Sequence, residues 1–164
     1  VLLLQLLRDA EKLKLWLGLC EEGAILEAEE IPEGADANAA HKDTTDEEEH
    51  EKFLTARAAS GTLAMAVGAD TAVGQALVKL DVARTIVSLL ESCQPELVHR
   101  ALVLVTELAT AAEETDVNKS NAVHLVEGGV VAAIGVVLKM GNAQLGGIAR
   151  DAAQALSTAM GKSS

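Results

Sequence analysis

Apolar residues along this chain recur at intervals of three and four, and the intervals reset at glycine, proline and short polar stretches. That spacing is helical, and it is clearest between Glu127 and Met160. There, Val130, Val131, Ile134, Val137 and Leu138 follow a Gly128-Gly129 break and predict one helix. Ile148, Ala152, Ala153, Ala155, Leu156 and Ala159 predict a second, alanine-rich helix after Gly146-Gly147. Small residues at Ala152, Ala155 and Ala159 allow another helix to approach closely. Two such helices cannot cover both their apolar faces alone, so the rest of the chain is expected to supply neighbours of the same kind.

Upstream, Val1 to Arg8 and Lys12 to Cys20 read as two short helices. Leu13, Leu15, Trp16, Leu17 and Leu19 are denser than a one-sided stripe, which predicts burial on more than one side, with Trp16 in the core or, if left exposed, serving as a docking anchor. Glu22 to Asp46 reads as a loop containing Pro32, Gly34, Asp36 and Asn38. A loop of that length is either a solvated, mobile insertion or an acidic tether for a basic partner surface. Thr44-Thr45-Asp46 then starts a helix, with Thr45 and Glu48 spaced as a capping box. That helix runs through Phe53, Leu54, Ala56, Ala59, Leu63 and Ala66 to a stop near Gly68. Further helices are predicted over Thr71 to Leu80, over Val82 to Ser92, from Pro95 through Ala109, and over Asp116 to Glu127. Pro95 suits a first helical turn, where its missing N–H would have no partner.

Composition agrees with packed helices. The chain has 164 residues, of which 49% are hydrophobic and only 1% aromatic, so its core is built of Leu, Val and Ala. It starts at Val1 inside an apolar run and is read as a fragment of one domain. No basic segment precedes an apolar stretch in the manner of a signal peptide, and charges at Arg8, Asp9, Glu11, Lys12 and Lys14 interrupt the first apolar run. Cys20 and Cys93 stand singly on helical patterns and are expected to be reduced, buried thiols of a cytoplasmic protein. The net charge of −12 is local: Glu21 to Glu51 holds 13 acidic residues against Lys42 alone, and the remainder balances. A neutral body with one acidic segment speaks against nucleic acid or an anionic membrane as partner.

The pattern of short helix, helix and long helix recurs. Ala59, Ala101 and Ala152 superpose at offsets of 42 and 51 residues, as do Leu63, Val105 and Leu156. Leu77-Val78-Lys79 matches Leu125-Val126-Glu127; Val82, Ile86 and Leu90 match Val130, Ile134 and Leu138. A period near 42 with three helices per unit falls in the range of armadillo and HEAT arrays, and Ala152-Ala153-Gln154-Ala155-Leu156 resembles the armadillo pattern. The expected fold is therefore all-α, a right-handed armadillo solenoid of about three repeats: residues 1–67, carrying the acidic loop at about 22–46, then 68–114, then 115–164.

The segments KLKLWLGLCEE (Lys12 to Glu22), ARAASGTLAMA (Ala56 to Ala66) and PELVHRALVLVTELA (Pro95 to Ala109) occur in that order. They resemble the C-terminal repeats of UCS-domain myosin chaperones, including that family's VQHRG helix, which appears here as Leu97-Val98-His99-Arg100-Ala101. The acidic loop is longer than the family's short turn, and Ala101 replaces a glycine. The resemblance implies an armadillo solenoid that binds the myosin motor domain and assists its folding or stability. It also implies Hsp90 as a partner of longer family members, through a module that these residues do not contain.

Nothing in the chain suggests an enzyme, a cofactor or a metal. The glycine pairs lack the lysine and spacing of a phosphate loop, and no nucleophile motif is present. His41 and His50 match no metal-ligand spacing, and His99 and His124 read as packed or rim histidines. Function is then expected on a surface. In an armadillo array the third helices line a concave groove, and its candidate partner-binding residues here are Arg57, His99, Arg100, Glu107, Arg150, Asp151, Gln154 and Thr158. Met65, Glu107 and Thr158 replace the asparagine ladder of peptide-binding armadillo arrays, which argues against extended nuclear-import peptides. Arg57, Arg100 and Arg150 recur near the start of each third helix, either pairing with acids of a neighbouring repeat or capturing acidic and carbonyl groups of a client. A general armadillo interaction scaffold, unrelated to myosin, is the alternative function. The apolar edge at Val1 to Leu7 predicts a homodimer or marginal stability.

Overall fold

The computed structural model describes residues 5, 8–25 and 42–161, and it is all-α over them. Its helices are α1 (Ala10–Ala24), α2 (Lys42–Ala69), α3 (Thr71–Lys79), α4 (Val82–Glu91), α5 (Pro95–Thr110), α6 (Thr115–Glu127), α7 (Val130–Lys139) and α8 (Ala143–Ala159). The helix expected over Val1 to Arg8 and most of the acidic loop lie outside the described residues.

Side-chain size decides how these helices meet. The long helices α2, α5 and α8 pack side by side in one row, and α1, α4 and α7 form a second row against them. The remaining pair, α3 and α6, packs on both rows. Ala59, Ala101 and Ala152 are buried at equivalent positions of the long helices, as are Leu63, Val105 and Leu156. The alanines bring the axes close and the larger residues fill the space between them. Leu77, Ile86, Leu89, Leu90, Leu97, Leu102, Leu104 and Leu108 are fully enclosed in the same core. Each contributes on the order of 2 kcal/mol by leaving water, more than an exposed ion pair can.

Polar contacts then fix register. Glu21 of α1 accepts from Arg84 Nε and Nη2 at 3.2 and 3.1 Å and from Thr85 Oγ1 at 3.0 Å, tying α1 to α4. Asn118 closes the α5–α6 turn, accepting from Ala112 N at 3.0 Å and donating to Ala112 O at 2.9 Å. Buried Asn121 donates to Leu108 O at 2.9 Å, satisfying a carbonyl near the end of α5. The turns before α4 and α7 share one backbone device. Asp81 and Gly129 precede the matched residues Val82 and Val130, and both are left-handed, with φ of 59° and 87°. Glycine adopts this conformation freely and aspartate tolerates it.

Several boundaries differ from expectation. Helix α1 continues through Ala24, beyond the predicted loop start at Glu22, because Gly23 and Ala24 are buried against α2. Helix α2 begins at Lys42, so Thr45 lies inside it and does not cap it. The carboxylates from Asp46 to Glu49 fall within the first two turns of this longer helix, toward the end whose dipole favours acids. Gly146-Gly147 lies within α8, whose start is Asn142: its Oδ1 accepts from Gln144 N at 3.0 Å and Leu145 N at 3.2 Å. In α1 only one face is buried, through Leu13, Leu17 and Cys20; Leu15 is 68% exposed and Trp16 only half-buried. Cys93 is neither buried nor helical; it is exposed in the α4–α5 turn at φ 57°. Among the described residues no single helix is long and apolar enough to cross a membrane.

Two tests follow from this packing. At Gly23 a β-carbon would meet Ala56 Cβ and stand 2.6 Å from Lys52 O, so α1 and α2 touch there backbone to side chain. Gly23→Val is expected to lower unfolding free energy in urea by about 1–3 kcal/mol through overpacking. Gly18→Ala is the control, since nothing lies within 4 Å of its β-carbon position.

The second concerns Asp70, which caps α3 by accepting from Ala72 N at 3.1 Å and also accepts from Arg8 Nε at 2.7 Å. The Arg8 hydrogen bond chiefly, with help from the cap, holds its carboxyl below the usual carboxylate value. A folded pKa below the unfolded one gives stability that is present above the unfolded pKa and is lost as pH falls through the folded pKa. Asp70→Asn retains a capping oxygen but not the charge. Urea titrations should find this variant less stable than the parent at pH 7, with the gap closing as pH drops below about 4.

Candidate functional site

The exposed side of the α2–α5–α8 row carries the candidate residues. Helices α2 and α5 run parallel, because contacts across their seam advance together along both chains. Arg57 Nη1 donates to Glu96 Oε2 at 2.8 Å, a partner 39 residues on. One turn further, a β-carbon on Gly61 would collide with Nη1 of Arg100. Two turns beyond that, a β-carbon on Gly68 would stand 2.9 Å from Glu107 Oε2. Each pair keeps the same separation, so the seam repeats with the spacing of facing helical turns.

The physical consequence is that Arg57, Arg100 and Glu107 are half-buried. Their side chains lie across the seam on the neighbouring helix. Arg57 also stands over the Phe53 ring, 6.0 Å from its centroid. The hydrogen bond from Arg57 holds the Glu96 carboxyl below its usual value. For Arg57 this is the structural alternative, a pairing with the next unit's acid. Arg100 differs: its Nε is enclosed and is the one buried side-chain nitrogen or oxygen among the described residues without a hydrogen-bond partner. Between Arg100 and Glu107, the seam opens into a cavity of about 200 Å³ over Ala64, Met65 and Val103, with His99 at its rim. Met65 is 78% exposed there.

The other candidates are brought to the same side but not to the same cavity. His99 and Arg100 border a second hollow of about 290 Å³ with Asn142, Gln144 and Leu145 at the start of α8. Arg150, Asp151, Gln154 and Thr158 are exposed along α8, where Gln154 Nε2 donates to Thr158 Oγ1 at 3.3 Å. Thr158 lines a separate hollow with Thr110, Lys119 and Ala155. Arg150 reaches back toward its own helix, its Nη2 being 3.6 Å from the β-carbon position of Gly146. Sequence reasoning missed Gly61, Gly68 and Glu96. The signal was present as two glycines seven residues apart inside a helix, a spacing that puts both on one face.

A larger hollow, about 880 Å³, lies elsewhere, between the end of α1, the start of α2 and the α4–α5 turn. His50, Glu49, Asp46 and Cys93 border it. No group of three potential metal ligands occurs among the described residues, and His50 stacks on Phe53 with ring centroids 6.4 Å apart. His41 lies outside the described residues. The two thiols are chemically unlike. Burial, with a smaller contribution from the Glu21 charge, pushes the Cys20 thiol up to about 12, whereas Cys93 is open to solvent. A chromogenic disulfide reagent at pH 8 should therefore titrate one thiol in the native protein and two in denaturant, with Cys93→Ser abolishing the native reaction.

Comparison with known proteins matches this chain to no family model, no curated protein and no solved structure.

Proposed function

We propose that this chain is a protein-binding module of the UCS type: an armadillo solenoid whose α2–α5–α8 face holds a segment of the myosin motor domain and helps it fold or stay folded. The observation that carries the binding role is the seam itself. Helices α2, α5 and α8 carry charged side chains on one face, half-buried at Arg57, Arg100 and Glu107, with open hollows between them, and that face also presents exposed Met65. The two-row stacking of α1–α4–α7 against α2–α5–α8, with the repeated left-handed turn at Asp81 and Gly129, supports the armadillo reading. The choice of myosin rests on the sequence resemblance, as does the pairing with Hsp90 in a longer protein. No catalytic role is proposed.

One observation favours a general interaction scaffold as the second reading. The Arg57–Glu96 pair at the edge of the groove is already formed, a preorganised contact suited to a folded or defined partner as well as to an unfolding one. The two readings are separated by light scattering of a purified myosin motor domain on heating, with this chain titrated in and an unrelated armadillo protein as control. Suppression near stoichiometric ratios by this chain alone is the expected result. Equal scattering in both titrations would leave the myosin reading without support and favour the scaffold.

A further inference from the structure

We propose that the α2–α5 seam is a subsite for a short peptide segment carrying an acidic group, an apolar side chain and a basic group in that spatial sequence, and that Gly61 and Gly68 are its positioning residues. The inference deepens the groove reading above and rests on it. It begins with the glycines. Both lie on α2 under a charged end group of α5: Gly61 under the Arg100 guanidinium and Gly68 under the Glu107 carboxylate. Neither glycine has a left-handed backbone, so neither is required by a turn. Inside a helix each costs about 1 kcal/mol relative to alanine, a penalty that calls for a packing reason. The seat it provides for a neighbour's charged group is such a reason.

Seated this way, the two charges are held apart. Arg100 and Glu107 are two helical turns apart on one helix, about 10 Å along the axis. Ala64, Met65 and Val103 form the apolar floor between them. The cavity of about 200 Å³ has room for one branched aliphatic side chain. Among the described residues Arg100 forms no salt bridge, although its charge helps to hold down the Glu96 carboxyl, and with its enclosed Nε unpartnered the side chain that borders the opening keeps donor capacity. A carboxylate at Arg100 and an ammonium at Glu107 would complete both charges while the floor takes the apolar group. An extended chain advances about 3.3 Å per residue, so acid and base about three residues apart span the two ends. The segment Asp-Leu-Ala-Lys has that pattern, and an extended chain can enter in either direction.

The test is fluorescence anisotropy with four labelled, end-capped peptides containing Asp-Leu-Ala-Lys, the neutral Asn-Leu-Ala-Gln, the apolar-deleted Asp-Ser-Ala-Lys or the shortened Asp-Leu-Lys. The first should bind at least fivefold more tightly than each of the others. Its advantage over the neutral peptide should fall severalfold in Gly61→Ala, which displaces Arg100, and likewise in Glu107→Gln and Arg100→Gln, which remove the two charges and keep a polar side chain at each position. Circular dichroism melts confirm that each variant is folded. Equal binding of the four peptides by the parent, or a preference unchanged in both charge variants, would overturn the subsite. The myosin scattering assay on the same proteins keeps the two ideas apart. Selective peptide binding without suppression would retain the subsite and remove the chaperone reading. Full suppression by variants that have lost the peptide preference would show that the client does not use this subsite and would overturn its proposed place in the function.

Discussion

Close approach of helices along faces of alanine and glycine is the constraint on which the structure depends. Ala59, Ala101 and Ala152 are buried in the three long helices, and Gly23 and Gly128 bring α1 and α6 onto Ala56 and Ala83. With so few aromatic residues the chain cannot fill wide gaps, so its helices must sit near one another for leucine and valine to complete the core. The same closeness makes the seam between α2 and α5 narrow enough for side chains of one helix to lie on the other. Site geometry is thus a by-product of core economy.

Polar groups work within that frame and do not create it. Glu21 with Arg84 and Thr85, Asn118 with Ala112, and Asn121 with Leu108 each sit where two helices are already pressed together by apolar burial. Their directional bonds select one register among those that burial alone would permit. Arg57 and Glu96 do the same at the edge of the groove, where a one-residue slide would separate them. A packed helical row with such markers is a rigid platform, and rigidity matters for a surface whose selectivity depends on the distance between charges.

Much of the fold was legible because the helices are strongly periodic. The all-α class, the starts of α4, α5 and α7, and the burial of the matched alanines all follow from spacing and from Pro95 or Gly129. The errors have physical causes. Leu15 and Leu19 looked buried because density of leucine does not reveal which faces have neighbours. Thr45 looked like a cap because capping residues and a run of acids fit a helix interior equally well when the helix starts earlier. Cys93 looked buried because its turn is only a few residues long and interrupts the apolar pattern very little. At the site, the residue types and the face were legible, but not the cross-seam partners. Which residue of α5 meets Gly61 depends on the relative axial shift of two helices, a tertiary quantity that no local pattern encodes.

The downstream face of α7 shows what a helix owes to its neighbours. Ala83 and Leu90 of α4 are buried, whereas their matched residues in α7, Val131 and Leu138, are 47% and 38% exposed. The same chemistry is dry in the middle of the stack and wet at its margin. Among the described residues α4 and α5 each have a row neighbour on both sides, whereas α7 has α4 alone. Amides at the centre of the row, in α5, are expected to exchange last and only through near-complete melting. The α2–α5 seam borders that protected centre, so its α5 wall is expected to hold its place through local openings.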